Sequence, residues 1–219
     1  MEEQQVPRKI VKPNVVEFLK PGEKGIAKID HFVVSEEESR RTSCGRYDDY
    51  VPEGHYARLW VKSQLMMTDT PYEWRTNKEA VYRAHGDVLI AGLGIGMILV
   101  PILQKPEVRV VWVVERSLDV IELVENQIRC AFPDFSPKLI VVPDDIFTWR
   151  PVRGFLFNTI YFDIWDATCG DNVAEMSKLK RGFARKLDRK DLNCWVGCWE
   201  EDKCRRAHRQ ETQRERLWG

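Results

Sequence analysis

One segment constrains the fold more than any other: Asp87-Val-Leu-Ile-Ala-Gly92-Leu-Gly94-Ile-Gly96. A short apolar run ends in three glycines at alternate positions. Nineteen residues after Gly96, a second apolar run over residues 110–114 closes on Glu115. A strand that runs into a side-chain-free turn lets the backbone approach a nucleoside closely. An acid at the end of the next strand can hold ribose hydroxyls. The pattern predicts a strand–helix–strand unit and an adenosine-containing ligand. Nicotinamide-binding turns read G-x-G-x-x-G, which would place glycine at 97, where this chain has Met97.

From residue 87 onward, apolar runs alternate with amphipathic ones. Strand one is expected over residues 87–91, then an irregular helix over 97–104, where Pro101 lacks an amide donor. Strand two is expected over 109–114, followed by a helix capped by Ser117 that carries Val120, Ile121, Val124 and Ile128 on one face. Strands three and four fall at 138–142 and 158–162. A polar helix over 173–190, a fifth strand over 192–199 and a charged helix over 200–217 complete the chain. This alternation predicts an α/β fold, a doubly wound, mostly parallel, Rossmann-like sheet with its ligand at one edge. Upstream, residues 26–34 and 56–67 are rich in β-formers and predict a small N-terminal β extension. The charged stretch from Glu36 to Thr42 reads as an exposed connection or short helical turn. Residues 1–20, with breakers at Pro7, Pro13 and Pro21, read as loosely ordered. The expected division is a β-rich extension over 1–80 and an α/β domain over 81–219.

At 219 residues, 43% hydrophobic and 31% charged, the chain can bury a full core. No run approaches the ~18 apolar residues of a membrane span. Met1-Glu-Glu-Gln-Gln lacks the basic and apolar regions of an export signal. The six cysteines (44, 130, 169, 194, 198 and 204) do not form a secreted-scaffold pattern and read as reduced thiols. The expectation is a cytoplasmic protein without membrane contact. Cys194, Cys198, Cys204 and His208 have the ligand types of a zinc site. On a strand, however, Cys194, Val196 and Cys198 share one face while Trp195 and Trp199 take the other, so core cysteines are the simpler reading and no metal is expected. The other histidines (31, 55 and 85) are scattered.

Charge is unevenly distributed although it sums to zero. Residues 86–172 carry seven basic and twelve acidic side chains, and residues 173–219 carry thirteen and eight. An acidic centre suits a cationic ligand. The basic tail lacks any nucleic-acid recognition motif and reads as a solvated helix surface. The acids of the centre stand at strand ends: Glu115 after strand two, Asp144 and Asp145 after strand three, Asp163 and Asp166 after strand four. Alone, Asp145 could cap a turn and Glu115 could pair with Arg116. Five carboxylates on one sheet edge beside a glycine turn read as a site.

With these motifs in place, residues 65–170 resemble class I S-adenosylmethionine-dependent methyltransferases, and most of all their spermidine synthase branch. The G-x-G-x-G spacing of Gly92, Gly94 and Gly96 is typical of S-adenosylmethionine sites. Val113-Val-Glu115, Asp144-Asp-Ile-Phe-Thr-Trp149 and Phe162-Asp-Ile-Trp-Asp-Ala167 stand where that branch has its ribose acid, its adenine segment and its aspartate-rich loop. Met67-Thr-Asp-Thr-Pro-Tyr-Glu-Trp74 stands at its link from β domain to core. The resemblance implies that Gly92, Gly94 and Gly96 surround the amino-acid or aminopropyl end of the cofactor, with Leu93, Ile95 and Arg116 also cofactor-binding. It implies that Glu115 takes the ribose hydroxyls and that Asp145 accepts from the adenine amine beside Ile146. Asp163 would sit near the sulfonium and act as the catalytic residue, helping to deprotonate an attacking amine.

Three departures shape the functional expectation. The branch carries an aspartate inside the glycine turn that pairs with the amine of decarboxylated S-adenosylmethionine, and here that position is Ile95. The aspartate loop usually reads Asp-Ser-Ser-Asp-Pro, and here it is Asp163-Ile-Trp-Asp166-Ala, with bulky Trp165 as a cover for a planar acceptor. Only 20 residues follow Trp199, so the usual terminal strand hairpin is expected to be missing. Ile95 turns the leading expectation to an S-adenosylmethionine-dependent methyltransferase with a small-molecule acceptor. The alternatives are a spermidine synthase-like aminopropyltransferase using decarboxylated S-adenosylmethionine, and a non-catalytic nucleoside-binding protein whose basic tail contacts a partner. A sheet without its terminal strands also has reason to pair with a second copy.

Overall fold

A computed structural model describes residues 10–43 and 50–218, so the readings of residues 1–9 and of Cys44 fall outside the described residues. The chain opens with a short helix, α1 (Val15–Phe18), followed by β1 (Gly22–Lys24) and β2 (Ala27–Val34). Helix α2 (Glu36–Ser43) carries Glu36–Arg40 and Glu37–Arg41 pairs one turn apart. β3 (Gly54–Val61) and β4 (Gln64–Thr68) complete an antiparallel sheet in the order β1-β2-β3-β4. Two expectations change here. Residues 10–20 are packed rather than loose: Val15, Phe18 and Leu19 are buried, and the Phe18 ring meets Phe132 edge-on at 5.3 Å. The three prolines mask a helix-spaced apolar set. The single run over 56–67 is a hairpin, because Lys62 and Ser63 both take positive φ (52° and 64°) and reverse the chain in two residues.

Helix α3 (Pro71–Arg83) leads into the central sheet and was read only as a link. Its start has a sequence signature: Thr70 at the N-cap position, Pro71 in the first turn and Glu73 three residues beyond Thr70. The central strands are β5 (Gly86–Ala91), β6 (Val108–Glu115), β7 (Leu139–Pro143), β8 (Thr159–Phe162) and β9 (Trp195–Cys198). They run parallel in the order β7-β6-β5-β8-β9. Among the described residues no strand extends the sheet past β9.

Side chains alternate across this sheet, as period-two apolar runs require. Val88 and Ile90 of β5, with Val111 and Val113 of β6, enter one core, and Leu89, Ala91 and Val114 enter the other. The first core is shared with the N-terminal sheet through Ile29, Ala57 and Leu59. It is covered by α4 (Leu99–Leu103) and α5 (Leu118–Ala131), the latter burying Val120, Ile121, Val124 and Ile128. Ser117 caps α5 by accepting from the Val120 amide at 3.3 Å. Pro101 sits in the first turn of α4, where its missing amide removes no intrahelical bond. The second core is covered by α6 (Asn172–Phe183), with Met176, Leu179 and Phe183 buried. α6 stops short of the expected residue 190 because Leu187 leaves the helix to bridge Phe157. On β9, Trp195 and Trp199 pack into the first core while Val196 and Cys198 pack against the second, and α7 (Glu201–Trp218) buries Cys204. Cys194, expected on the same strand face, precedes β9 and is half-buried.

Candidate active site

Strand order reverses between β5 and β8, and a cleft opens outside the carboxyl ends of the strands there. Four strand ends line it: Gly92, Leu93 and Gly94 after β5; Glu115 and Arg116 at β6; Asp144, Asp145 and Ile146 after β7; Asp163 to Asp166 after β8. The cavity measures about 160 Å³.

Gly92 is fixed by sterics. Its φ is +97°, its amide donates to Val114 O at 2.9 Å, and a Cβ built on it would collide with the Asp163 carbonyl oxygen. The strand after β5 therefore turns away directly over β8. Glu115 then ties the turn to β6. One of its oxygens accepts from the Leu93 amide at 2.9 Å and the other from the Ser117 amide at 2.8 Å. A carboxylate has about four acceptor directions, so two remain for a ligand. Asp145 accepts from the Phe147 amide at 2.8 Å, and Asp144 from the Asp145 amide at 2.7 Å, so the two acids shape the loop after β7. Ile146 lies buried between them and Phe147.

Two residues assigned to the cofactor stand outside the cavity. Ile95 is fully buried and turns into the first core, and Gly96 backs onto the Ile128 side chain. The turn presents its backbone at 92–94 to the cleft and buries its second half. The Ile95 side chain lies in the first core, behind the backbone that lines the cleft. Ile95→Asp is expected to leave an unpaired carboxylate in the core and to lower the thermal midpoint by about 10 °C or more. A differential scanning melt within a few degrees of the parent would overturn that placement.

Asp163 begins the loop after β8, its amide bonded to Ala91 O at 2.9 Å. Burial pushes its carboxyl up to about 8, and the Glu73 carboxylate adds to the rise. Glu73, on the first turn of α3, also lines the cavity. Burial pushes it up to about 7, opposed by the Thr68 amide and reinforced by Glu200. Trp165 is half-buried, its indole N–H donating to Glu175 at 2.9 Å, and Gln64 beside the hairpin turn donates to Asp166. The remaining wall is apolar: Leu59 and Val61 of β3, Met66 and Met67 of β4, and Trp199.

The sequence allows a wall from the N-terminal β segment but names neither its residues nor Glu73. The Thr70-x-x-Glu73 signature marks the helix start but not the direction of its side chain. Alternation along β3 and β4 marks two faces but not what covers them. Among the described residues no group of three His, Cys, Asp or Glu is arranged for a metal ion, and no helix is long and apolar enough to cross a membrane.

No family model and no curated protein matches the chain. Among solved structures it is similar to spermidine synthase from Thermotoga maritima, at 19% identity over 77% of this chain and 52% of that one, with a TM-score of 0.47. It is similar to a spermidine synthase in complex with the transition state analogue AdoDATO, at 22% identity over 76% and 53%, with a TM-score of 0.49. It is also similar to the N-methyltransferase NodS from Bradyrhizobium japonicum, at 13% identity over 63% and 74%, with a TM-score of 0.43. The chain spans about half the length of the two synthases.

Proposed function

We propose that the cleft binds an adenosyl sulfonium donor and transfers a group from it to an amine, with decarboxylated S-adenosylmethionine and aminopropyl transfer as the first reading. The observation that carries it is the charge of the lining. Six carboxyl side chains (Glu73, Glu115, Asp144, Asp145, Asp163 and Asp166) face the cavity against one cation, Arg116. Such a field favours a cationic donor and a cationic acceptor, and disfavours a donor that carries its own carboxylate. The sulfonium, when bound, supplies an electrophilic carbon with a neutral thioether as leaving group.

The residues divide the work. The two free acceptor directions of Glu115 suit ribose hydroxyls, and Asp145 with Ile146 suits the adenine edge and face. The backbone of Gly92, Leu93 and Gly94 lets the donor lie close to β5, and Asp163 is the base for the attacking amine. In the proposed division of the chain, residues 81–219 hold the donor and residues 1–80 supply the acceptor wall.

Arg116 favours a second reading. It is exposed at the mouth of the cavity and would pair with the carboxylate of S-adenosylmethionine itself, making the reaction methyl transfer. Isothermal titration calorimetry separates the two. Methylthioadenosine is expected to bind at least about tenfold more tightly than S-adenosylhomocysteine, a gap of roughly 1.4 kcal/mol. The reverse order supports methyl transfer. Absence of binding by either ligand sinks the adenosyl reading.

A further inference from the structure

Glu73 reaches the cavity from α3 and Asp163 reaches it from β8. Loss of water and the neighbouring Glu73 carboxylate are what act on the Asp163 carboxyl. Glu73 receives the Thr68 amide alone, and Glu200 adds further negative charge. Other charged and titratable groups around the pair have partners of their own. Tyr161 keeps its proton, burial holding its hydroxyl well above the ordinary tyrosine range while it donates to Asn77 at 2.8 Å. Lys203 is engaged by Glu200 at 2.5 Å and donates to the Tyr72 hydroxyl at 3.1 Å. Arg116 lies beyond β6, next to Glu115. Asp166 is exposed and takes the Gln64 amide. Two carboxyls that line one partly dehydrated cavity make each other's ionisation harder.

We infer that Glu73 is a second proton-handling residue of this site, sharing a single proton with Asp163 so that the pair presents one carboxylate and one neutral carboxyl to an incoming ammonium. The inference rests on the amine-acceptor reading above and adds a residue to it. The ammonium loses its proton from nitrogen to the ionised member of the pair, which passes from one proton to two, and the added proton leaves to solvent when the product departs. Glu73 acts on the amine both as a direct charge and through its hold on Asp163.

A structural alternative is concrete: Glu73 lies in the first turn of α3, where a carboxylate suits the helix N-terminus, and could serve the helix alone. The test is carbon-13 NMR of the full-length, ligand-free protein carrying carboxyl-labelled Asp and Glu, titrated from about pH 4 to pH 10, the range that spans both groups. In Glu73→Gln the Asp163 midpoint is expected to fall by about one pH unit, whereas in Asp163→Asn, where the amide stands in for the protonated acid, the Glu73 midpoint is expected to stay in place and lose any second, alkaline phase. Glu73→Asp keeps the charge and is expected to retain most of the coupling. Where turnover is measurable, Glu73→Gln is expected to move the alkaline rise in rate toward lower pH, which a helix cap would leave in place. Glu79→Gln, an exposed change on the same helix, serves as the reference. Independent titration of the two groups overturns the inference. The titration needs no donor, so failure of nucleoside binding overturns the transferase reading separately, without erasing a coupling that is seen.

Discussion

Asp163→Asn is expected to cut aminopropyl transfer from decarboxylated S-adenosylmethionine to a diamine by about 10²- to 10⁴-fold, the usual contribution of a positioned base. Methylthioadenosine binding is expected to stay within about threefold, because the nucleoside is assigned to Glu115, Asp145 and the turn at Gly92 rather than to this carboxyl. The pH dependence follows from the group's environment. Burial and Glu73 raise Asp163 to about 8, so a rate that needs its carboxylate climbs through that region. The same shift has an opposite sign in stability. The folded chain holds the proton up to about 8, whereas an unfolded chain releases it near ~4. Between those values the native state binds more protons, so stability falls as pH rises through the window. Asparagine removes that dependence. Asp163→Asn is therefore expected to melt higher than the parent at alkaline pH while losing activity. Steady-state rates, calorimetric binding and melts on one pair of proteins check all three. Loss of nucleoside binding in step with activity would show that Asp163 holds the donor instead.

Gly92→Ala is expected to abolish nucleoside binding, by about 100-fold or more, and to destabilise the fold by several kcal/mol, in the range of a forced left-handed residue combined with a backbone clash. The cause lies between two strands. A methyl group at 92 meets the backbone carbonyl of Asp163, directly after β8, which cannot swing aside as a side chain could. Asp163 is itself fixed by its amide bond to Ala91 O. Relief has to come from moving the turn, and that breaks the Leu93 amide from Glu115 and displaces the carboxylate proposed to hold the ribose. A denaturant titration gives the stability change and calorimetry gives the binding change. An alanine variant that binds methylthioadenosine normally would mean that the donor does not lie on this turn.

The core of the fold was legible because each of its strands is an apolar run with its own punctuation. Gly92 ends β5, Glu115 ends β6, Asp144 follows β7 and Asp163 follows β8, and parallel crossovers put all four at one edge. Ser117 announced α5 by the same logic. The misses have physical causes. α1 is four residues whose burial comes from distant partners, Phe132 among them, and local sequence does not reveal a tertiary contact. The reversal at Lys62–Ser63 uses positive φ on residues that rarely adopt it, so no glycine or asparagine marks the turn. The burial of Ile95 in the first core was not legible either, because the glycine motif describes spacing and not which half of the turn faces inward. Glu73 went unseen because a helix-start glutamate looks the same whether it serves the helix or a cleft.

The hairpin of β3 and β4 stands apart from the strands that carry the acids, yet Leu59, Val61, Met66 and Met67 form one wall of the cleft. Its two-residue reversal is anchored to the rest of the site by the contact from Gln64 to Asp166. Lengthening that reversal or exchanging its inward methionines would alter the room left for an acceptor while leaving the glycine turn, Glu115 and Asp145 untouched. If the proposed transfer holds, new acceptor preferences can thus be explored by mutating a handful of hairpin positions, in evolution or in a combinatorial library, with the strand-end acids kept constant.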